Sequence, residues 1–203
     1  YSCAAADESM VIVDPKGELA RKSESFLSAK GYKTVIINMR DPQRSPDTWN
    51  PMGVIERAYK SGEEGQQKAV LQLNDMLNDI FFRRVDTKDP YWNESAGQLA
   101  LGICLLLLAL GEKLNMKNLL KWRYEKLADG TLDKCFRNLP TDGEIYQNLA
   151  GYLGMTAEST KSCIRSTFDQ LVRVFKSAPA LTEMLNDTCL LYTSDAADEE
   201  DSV

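Results

Sequence analysis

Leu99 to Leu110 reads Leu-Ala-Leu-Gly-Ile-Cys-Leu-Leu-Leu-Leu-Ala-Leu, twelve residues without a charged side chain. A bilayer span needs about 20 such residues, so this run is too short to cross a membrane. It fits a helix buried on most of its sides, and its surroundings must then supply several further apolar faces.

From Val54 onward the chain reads as wholly helical. Met52 to Lys60 begins it, and Gln66 to Val85 continues it with Leu71, Leu73, Met76, Leu77, Ile80 and Phe81 as an apolar stripe. Asp89-Pro-Tyr-Trp-Asn93 breaks the pattern, and Asn93 or Ser95 starts the helix that ends near Gly111. Shorter helices are expected at Met116 to Leu127, Leu132 to Leu139 and Glu144 to Leu153. Thr156 is placed to cap a last helix with Ile164, Phe168, Leu171, Val172 and Phe175 on one face, ended by Pro179.

The first fifty residues read differently. Met10 to Val13 is a short apolar run of the kind expected in a strand covered on both faces. Asp14 can cap the following helix, Pro15 suits its first position, and Gly31 suits its C-terminal cap. Tyr32 to Asn38 is a second apolar run, so the three elements predict one right-handed β-α-β unit. Between Arg40 and Met52 three prolines forbid a regular element. The expected class is therefore α/β, with part of an open sheet carrying a mostly helical domain.

Composition narrows the chemistry. No histidine occurs, which removes Cys-His zinc sites, Ser-His-Asp and Cys-His nucleophile systems, and histidine acid/base catalysis. The five cysteines (Cys3, Cys104, Cys135, Cys163 and Cys189) show no paired spacing and read as reduced, mostly buried thiols of a cytosolic face. No metal site is expected.

Cys189 to Val203 resembles the translation of a sequencing-library adapter and is set aside from fold reasoning. Of the formal net charge of −6, five negative charges lie in this tail with no base, leaving about −1 for the body. The low isoelectric point therefore says little about partners.

Several strings occur in a fixed order: Val-Ile-Val-Asp14-Pro15-Lys16-Gly17-Glu18-Leu, Gly31-Tyr32-Lys33, Asn50-Pro51, and Asp89-Pro90-Tyr91-Trp92 followed by Ser95-Ala96. The set resembles the TraG/TraD-type coupling ATPases of type IV secretion and conjugative DNA transfer, over roughly Ser9 to Asp187. The resemblance implies a RecA-like nucleotide-binding sheet within residues 1–53 and an all-α domain over 54–180. Residues 181–188 would return towards the ATPase domain, and 189–203 would be the non-native tail. It also implies a membrane-tethered homo-hexamer on the cytoplasmic face of the cell membrane. That motor uses ATP and Mg2+ to deliver relaxase-bound single-stranded DNA, or protein substrates, to the secretion channel proteins.

A phosphate-gripping Gly-x-x-x-x-Gly-Lys-Ser/Thr loop occurs nowhere in the chain. In the family it precedes the Asp-Pro-Lys-Gly-Glu strand, and the acid pair that positions magnesium and water follows the helical insertion. Both would lie outside this sequence, so no catalytic residue is expected within it, no cofactor is expected to bind it, and it should not hydrolyse ATP. A non-catalytic helical module binding a relaxase or DNA is the alternative reading. A dinucleotide-binding enzyme is a third, weakened because the first strand-helix turn lacks Gly-x-Gly-x-x-Gly.

Two groups of residues are candidates for function. Asp14, Lys16, Gly17 and Glu18 lie near the nucleotide if the resemblance holds. As plain structure, Asp14 is a helix cap, Lys16 a solvated cation, Gly17 a turn residue and Glu18 a first-turn acid that suits the helix dipole. Lys113, Lys117 and Lys121, spaced by four, would share one helix face, and with Arg123 they could contact DNA phosphates. Glu112, Glu125 and Asp129 dilute that charge, so a solvated face accounts for it better than a DNA contact. Trp49 and Trp92 are expected to plug the junction between sheet and helical domain rather than to stack on bases.

Overall fold

The chain is helical, with α1 (Glu18–Ala29), α2 (Gly53–Lys60), α3 (Glu63–Phe81), α4 (Tyr91–Ala109), α5 (Met116–Lys121) and α6 (Thr131–Arg137) followed by α7 (Glu144–Leu153), α8 (Glu158–Leu171), α9 (Arg173–Ser177) and α10 (Pro179–Met184). A 3-10 turn at Pro42–Arg44 and a π-helical turn at Trp122–Lys126 complete the regular structure of the described residues. This computed structural model describes residues 8–81 and 90–187. Asp89 and the expected tail from Cys189 to Val203 lie outside the described residues. Residues up to Asp47 form one unit and Thr48–Thr188 form another.

In the larger unit the apolar run becomes the core of α4, where Leu99 through Leu108 are all buried. The helix is 19 residues long, apolar enough to cross a bilayer, yet α3, α7 and α8 cover it from several sides. Each fully buried leucine contributes about 1.5–3 kcal/mol of transfer free energy, which makes this helix the main source of cohesion. α3 meets it through Ala69, Leu73, Leu77 and Phe81, a stripe at spacing four. Leu71, expected in that stripe, is 67% exposed because it falls on the opposite face. α8 contributes Ile164 and Phe168, and the Phe168 ring tilts against Phe81 at 5.4 Å. α7 packs tightly against α4 at Gly102: a Cβ there would lie 2.7 Å from the Leu149 side chain.

Helix ends in this unit are held by asparagines. Asn93 is buried and its Nδ2 donates to the Phe81 carbonyl at 2.9 Å, closing the last turn of α3. Asn115 caps α5, its Oδ1 accepting from the Asn118 amide at 2.7 Å. Trp92 packs against the core of the same unit. Pro179, expected to end the helical region, instead begins α10, where its missing N–H and fixed φ suit the first helical position.

The smaller unit overturns the α/β expectation. No β-strand occurs among the described residues, so there is no RecA-like β-α-β sheet. Met10 to Val13 runs without regular structure, with Val11 101% and Val13 86% exposed. Tyr32 to Asn38 likewise runs without regular structure. The reason lies in where its backbone groups bond. The Ile36 amide donates to Asp47 Oδ2 at 2.8 Å and the Asn38 amide donates to Ser45 Oγ at 2.9 Å. Side chains of the proline-rich loop thus take the places a neighbouring strand would fill. Apolar, β-branched runs mark a strand only when a ladder partner is present, and two strands alone are marginal. α1 follows the same logic, since none of its residues is buried. Its C-terminus does close as expected: Gly31 has φ 83°, and the Tyr32 amide donates to the Leu27 carbonyl at 3.0 Å.

Candidate functional site

Asp14-Pro-Lys-Gly-Glu18 folds as a turn that feeds α1. The Gly17 amide donates to the Asp14 carbonyl at 3.2 Å, and Gly17 itself takes φ 66°, a conformation that favours glycine. The Asp14 carboxylate then reaches over the helix start, accepting from the Glu18 amide at 3.2 Å and the Ala20 amide at 3.0 Å. Those bonds, the Ala20 amide foremost, hold the Asp14 carboxyl below its ordinary range. Gly17 rather than Asp14 takes the N-cap position and Glu18 rather than Pro15 the first helical one, so Asp14 covers the helix start from outside it, and two amides that could face an anionic ligand are already engaged. Lys16 and Glu18 are exposed on either side of Gly17. The four candidates of this group are contiguous and share one turn.

The lysine group is arranged differently from its spacing. α5 begins at Met116, so Lys113 lies before the helix and the three lysines do not form one helical face. Lys113 pairs with Asp187, and Lys117 Nζ lies 2.6 Å from Glu183 Oε1. Lys121 is exposed at the end of α5. Around them the chain entering the unit meets the chain leaving it. The Trp49 amide donates to the Met184 carbonyl at 2.9 Å, and Asn115 Nδ2 donates to Asn186 Oδ1 at 2.7 Å.

Arg123 stands apart from the lysines. It is 6% exposed, with Nη2 2.8 Å from Asp169 Oδ1 and its guanidinium over the Phe168 ring at 5.6 Å. It lines the inner end of a cleft of about 630 Å³ between the π-helical turn, α7 and α8. π-helical turns recur at functional sites because they displace side chains from the regular helical positions. Tyr124 lies in the same turn, and burial, followed by the Asp169 carboxylate, pushes its hydroxyl up to about 12. Along α8, Arg165 donates to the Tyr152 hydroxyl at 2.9 Å and to Glu158 Oε1 at 2.6 Å. Lys161 Nζ lies 5.6 Å from the centre of the Tyr152 ring. The lining thus alternates cations, carboxylates, hydroxyls and aromatic faces, a surface suited to polar recognition rather than to apolar ligands.

Sequence reasoning missed most of this cleft. Glu158 and Arg165 are separated by seven residues and lie on one α8 face, a weak signal that was available. Arg123 and Asp169 meet only through tertiary packing of distant helices, and nothing in their local sequence announces the pair. Among the described residues no group of His, Cys, Asp or Glu side chains is arranged to hold a metal.

Comparison with known proteins adds one finding. No curated protein and no solved structure gives a match. A family model described as type IV secretory system conjugative DNA transfer matches residues 4–181, a span that takes in the Asp14–Glu18 turn and most of the helical unit. With most of the sequence matched in order, the chain belongs to the type IV secretory system conjugative DNA transfer family.

Proposed function

We infer that the chain is part of a coupling protein that uses ATP to deliver relaxase-bound single-stranded DNA, or protein substrates, to the transfer channel. The observation that carries this reading is the family match across residues 4–181. ATP and Mg2+ act in the parent protein, a homo-hexamer at the cytoplasmic face of the membrane. This chain brings no phosphate loop of its own, so its part is recognition rather than hydrolysis. The Asp14–Glu18 turn is the portion nearest the nucleotide, with the exposed Lys16 ammonium available to a phosphate oxygen. The helical unit selects the substrate.

Two features support the assignment of selection to the helical unit. Its incoming and outgoing chains meet at Trp49 and Met184, as suits a domain carried within a larger protein. Its surface also offers a mixed polar cleft and exposed lysines, chemistry that meets polar protein surfaces and phosphates. The same closure favours the second reading, a non-catalytic helical module that binds a relaxase or DNA.

Sequencing across both flanks of the gene in its source separates the two. An in-frame phosphate loop upstream and an acid pair downstream support the ATP-driven motor. A start near Tyr1 and a stop near Asp187 leave the binding module. Recognition itself is tested by fluorescence anisotropy of a labelled single strand and by co-purification with a relaxase. A chain that captures neither sinks both readings.

A further inference from the structure

Both carboxylates on the outgoing chain, Glu183 and Asp187, are engaged by lysines that the sequence offers as candidate phosphate contacts. Lys117 meets Glu183 at 2.6 Å, and Lys113 meets Asp187. The side chains in the two pairs remain 42–64% exposed. Exposed pairs of this kind contribute little to stability and weaken with salt. They are thus poor anchors for a segment that must stay docked, and easily exchanged for a stronger anion. Between them the Trp49 amide donates to the Met184 carbonyl and Asn115 Nδ2 donates to Asn186 Oδ1, and Met184 and Leu185 are buried in the unit. The stretch through Leu185 is therefore fixed, and the two carboxylates on either side of it are held by exposed ion pairs that a stronger anion can outcompete.

We propose that Glu183 and Asp187 form an electrostatic latch. Their carboxylates occupy the positions where phosphates of single-stranded DNA dock on Lys113 and Lys117, and strand binding frees the Glu183 and Asp187 side chains. This rests on the reading of the helical unit as the substrate-binding part. Lysine suits the role because its ammonium is a compact charge on a flexible stem and demands no particular anion geometry. A strand presents several phosphates at once, so it replaces both carboxylates together and releases counterions, which two isolated acids do not. Lys121, exposed one turn further along α5, extends the same path. The latch would make release of these two side chains conditional on a bound substrate.

The test uses the full chain and a fluorescein-labelled oligothymidylate, with wild type, Glu183→Gln/Asp187→Asn and Lys113→Gln/Lys117→Gln compared by anisotropy across a salt series. The acid-free variant should bind roughly threefold to tenfold more tightly than wild type. Its dependence of log affinity on log salt should steepen by about 1.4, the share of two unmasked lysines on a single strand. The lysine-free variant should lose most of the affinity. Hydrogen exchange in a peptide covering residues 183–187 should quicken when the oligonucleotide is bound to wild type. Equal, measurable affinities for wild type and the acid-free variant overturn the latch and leave substrate recognition standing. Unchanged or slower exchange at 183–187 overturns it as well. Absence of binding by every variant at low salt overturns the latch and the DNA-binding reading together.

Discussion

The Asn50 side chain donates through Nδ2 to the Leu114 carbonyl at 2.8 Å, joining residues 64 positions apart in the sequence. Its Oδ1 accepts from the Met52 amide at 3.1 Å, so one buried amide both starts α2 and holds the loop before α5. Glu56 completes the grip, its Oε2 accepting from the Leu114 amide at 3.0 Å. The Leu114 peptide is therefore held from both sides by the beginning of α2.

Replacing Asn50 by Ala should cost about 1–3 kcal/mol, because it leaves a buried carbonyl and a helix-start amide without partners. Thermal unfolding reads this directly, at roughly 2–4 °C per kcal/mol for a chain of this size. Glu56→Ala acts on the same peptide, so the double variant should depart from additivity. Lys60→Ala, which removes an exposed pair with Glu56, should stay within about 0.5 kcal/mol of wild type. Equal melting of Asn50→Ala and Lys60→Ala would mean the Leu114 grip carries no stability.

Gly102 sits where α4 packs against Leu149 of α7, and two effects compete there. Alanine gains about 1 kcal/mol of helix propensity over glycine. Against that, its Cβ would lie 2.7 Å from the fully buried Leu149 side chain. Overpacking of this kind costs about 1–3 kcal/mol, so Gly102→Ala should destabilise the protein in wild-type background. In a Leu149→Ala background, itself costly by about 2–5 kcal/mol, the same change should become neutral or stabilising. A double-mutant cycle by denaturant unfolding tests the sign, and absence of coupling rejects the close approach.

Thiol chemistry separates the cysteines by environment. Burial pushes Cys104 up to about 12, whereas Cys163 is exposed on α8. A charged thiol reagent should label Cys163 rapidly at neutral pH and reach Cys104 only on unfolding. Peptide mapping by mass spectrometry gives the two rates. Native labelling of Cys104 at the rate of Cys163 would place the apolar core of α4 in contact with solvent.

The helical part of this fold was legible because its signals are local and redundant. The Leu99–Leu110 run could be stabilised only by surrounding helices, and the spacing-four residues of α3 supply one of them. The N-terminal unit was misread for a physical reason. Met10–Val13 and Tyr32–Asn38 have strand-like composition, but a strand is a property of a pair, and Asp47 and Ser45 take the amides that a partner would need. The Asp14 turn was visible from Asp-Pro-Lys-Gly-Glu alone, since capping depends on neighbours in sequence. Arg123–Asp169 in the cleft, and Lys113–Asp187 and Lys117–Glu183, join residues far apart in the chain, and periodicity carries no trace of them.

Asp14 gives α1 a pH dependence with a definite sign. Its carboxyl is lowered from the ordinary 3.8, chiefly by the Ala20 amide, so the folded state favours the ionised form. The contribution is complete above 3.8 and fades as pH falls through the lower folded value. Asp14→Ala should reduce α1 helicity at neutral pH, and acid should reproduce that loss in wild type. Amide chemical shifts of Glu18 and Ala20 across an acid titration report both. Identical titrations for wild type and Asp14→Ala would remove the capping role.

Tyr124 tests the buried charge at the inner end of the cleft. Its hydroxyl is raised from 10.0 to about 12 by burial first and then by the Asp169 carboxylate. Asp169→Asn removes the second cause and keeps the first, so the phenol should titrate earlier yet still above its ordinary value. The folded state holds the proton more tightly, so this contribution is complete below pH 10 and is lost as pH rises towards 12. Tyrosinate absorbance assigns the step, because Tyr124→Phe deletes it. Asp169→Asn also leaves the Arg123 guanidinium buried without its counter-charge. Removing one partner of a fully buried pair costs about 3–5 kcal/mol, and the partial exposure of Asp169 reduces this to about 1–3 kcal/mol. A variant that melts with wild type and leaves the phenol unmoved would show that Arg123 and Tyr124 do not depend on Asp169.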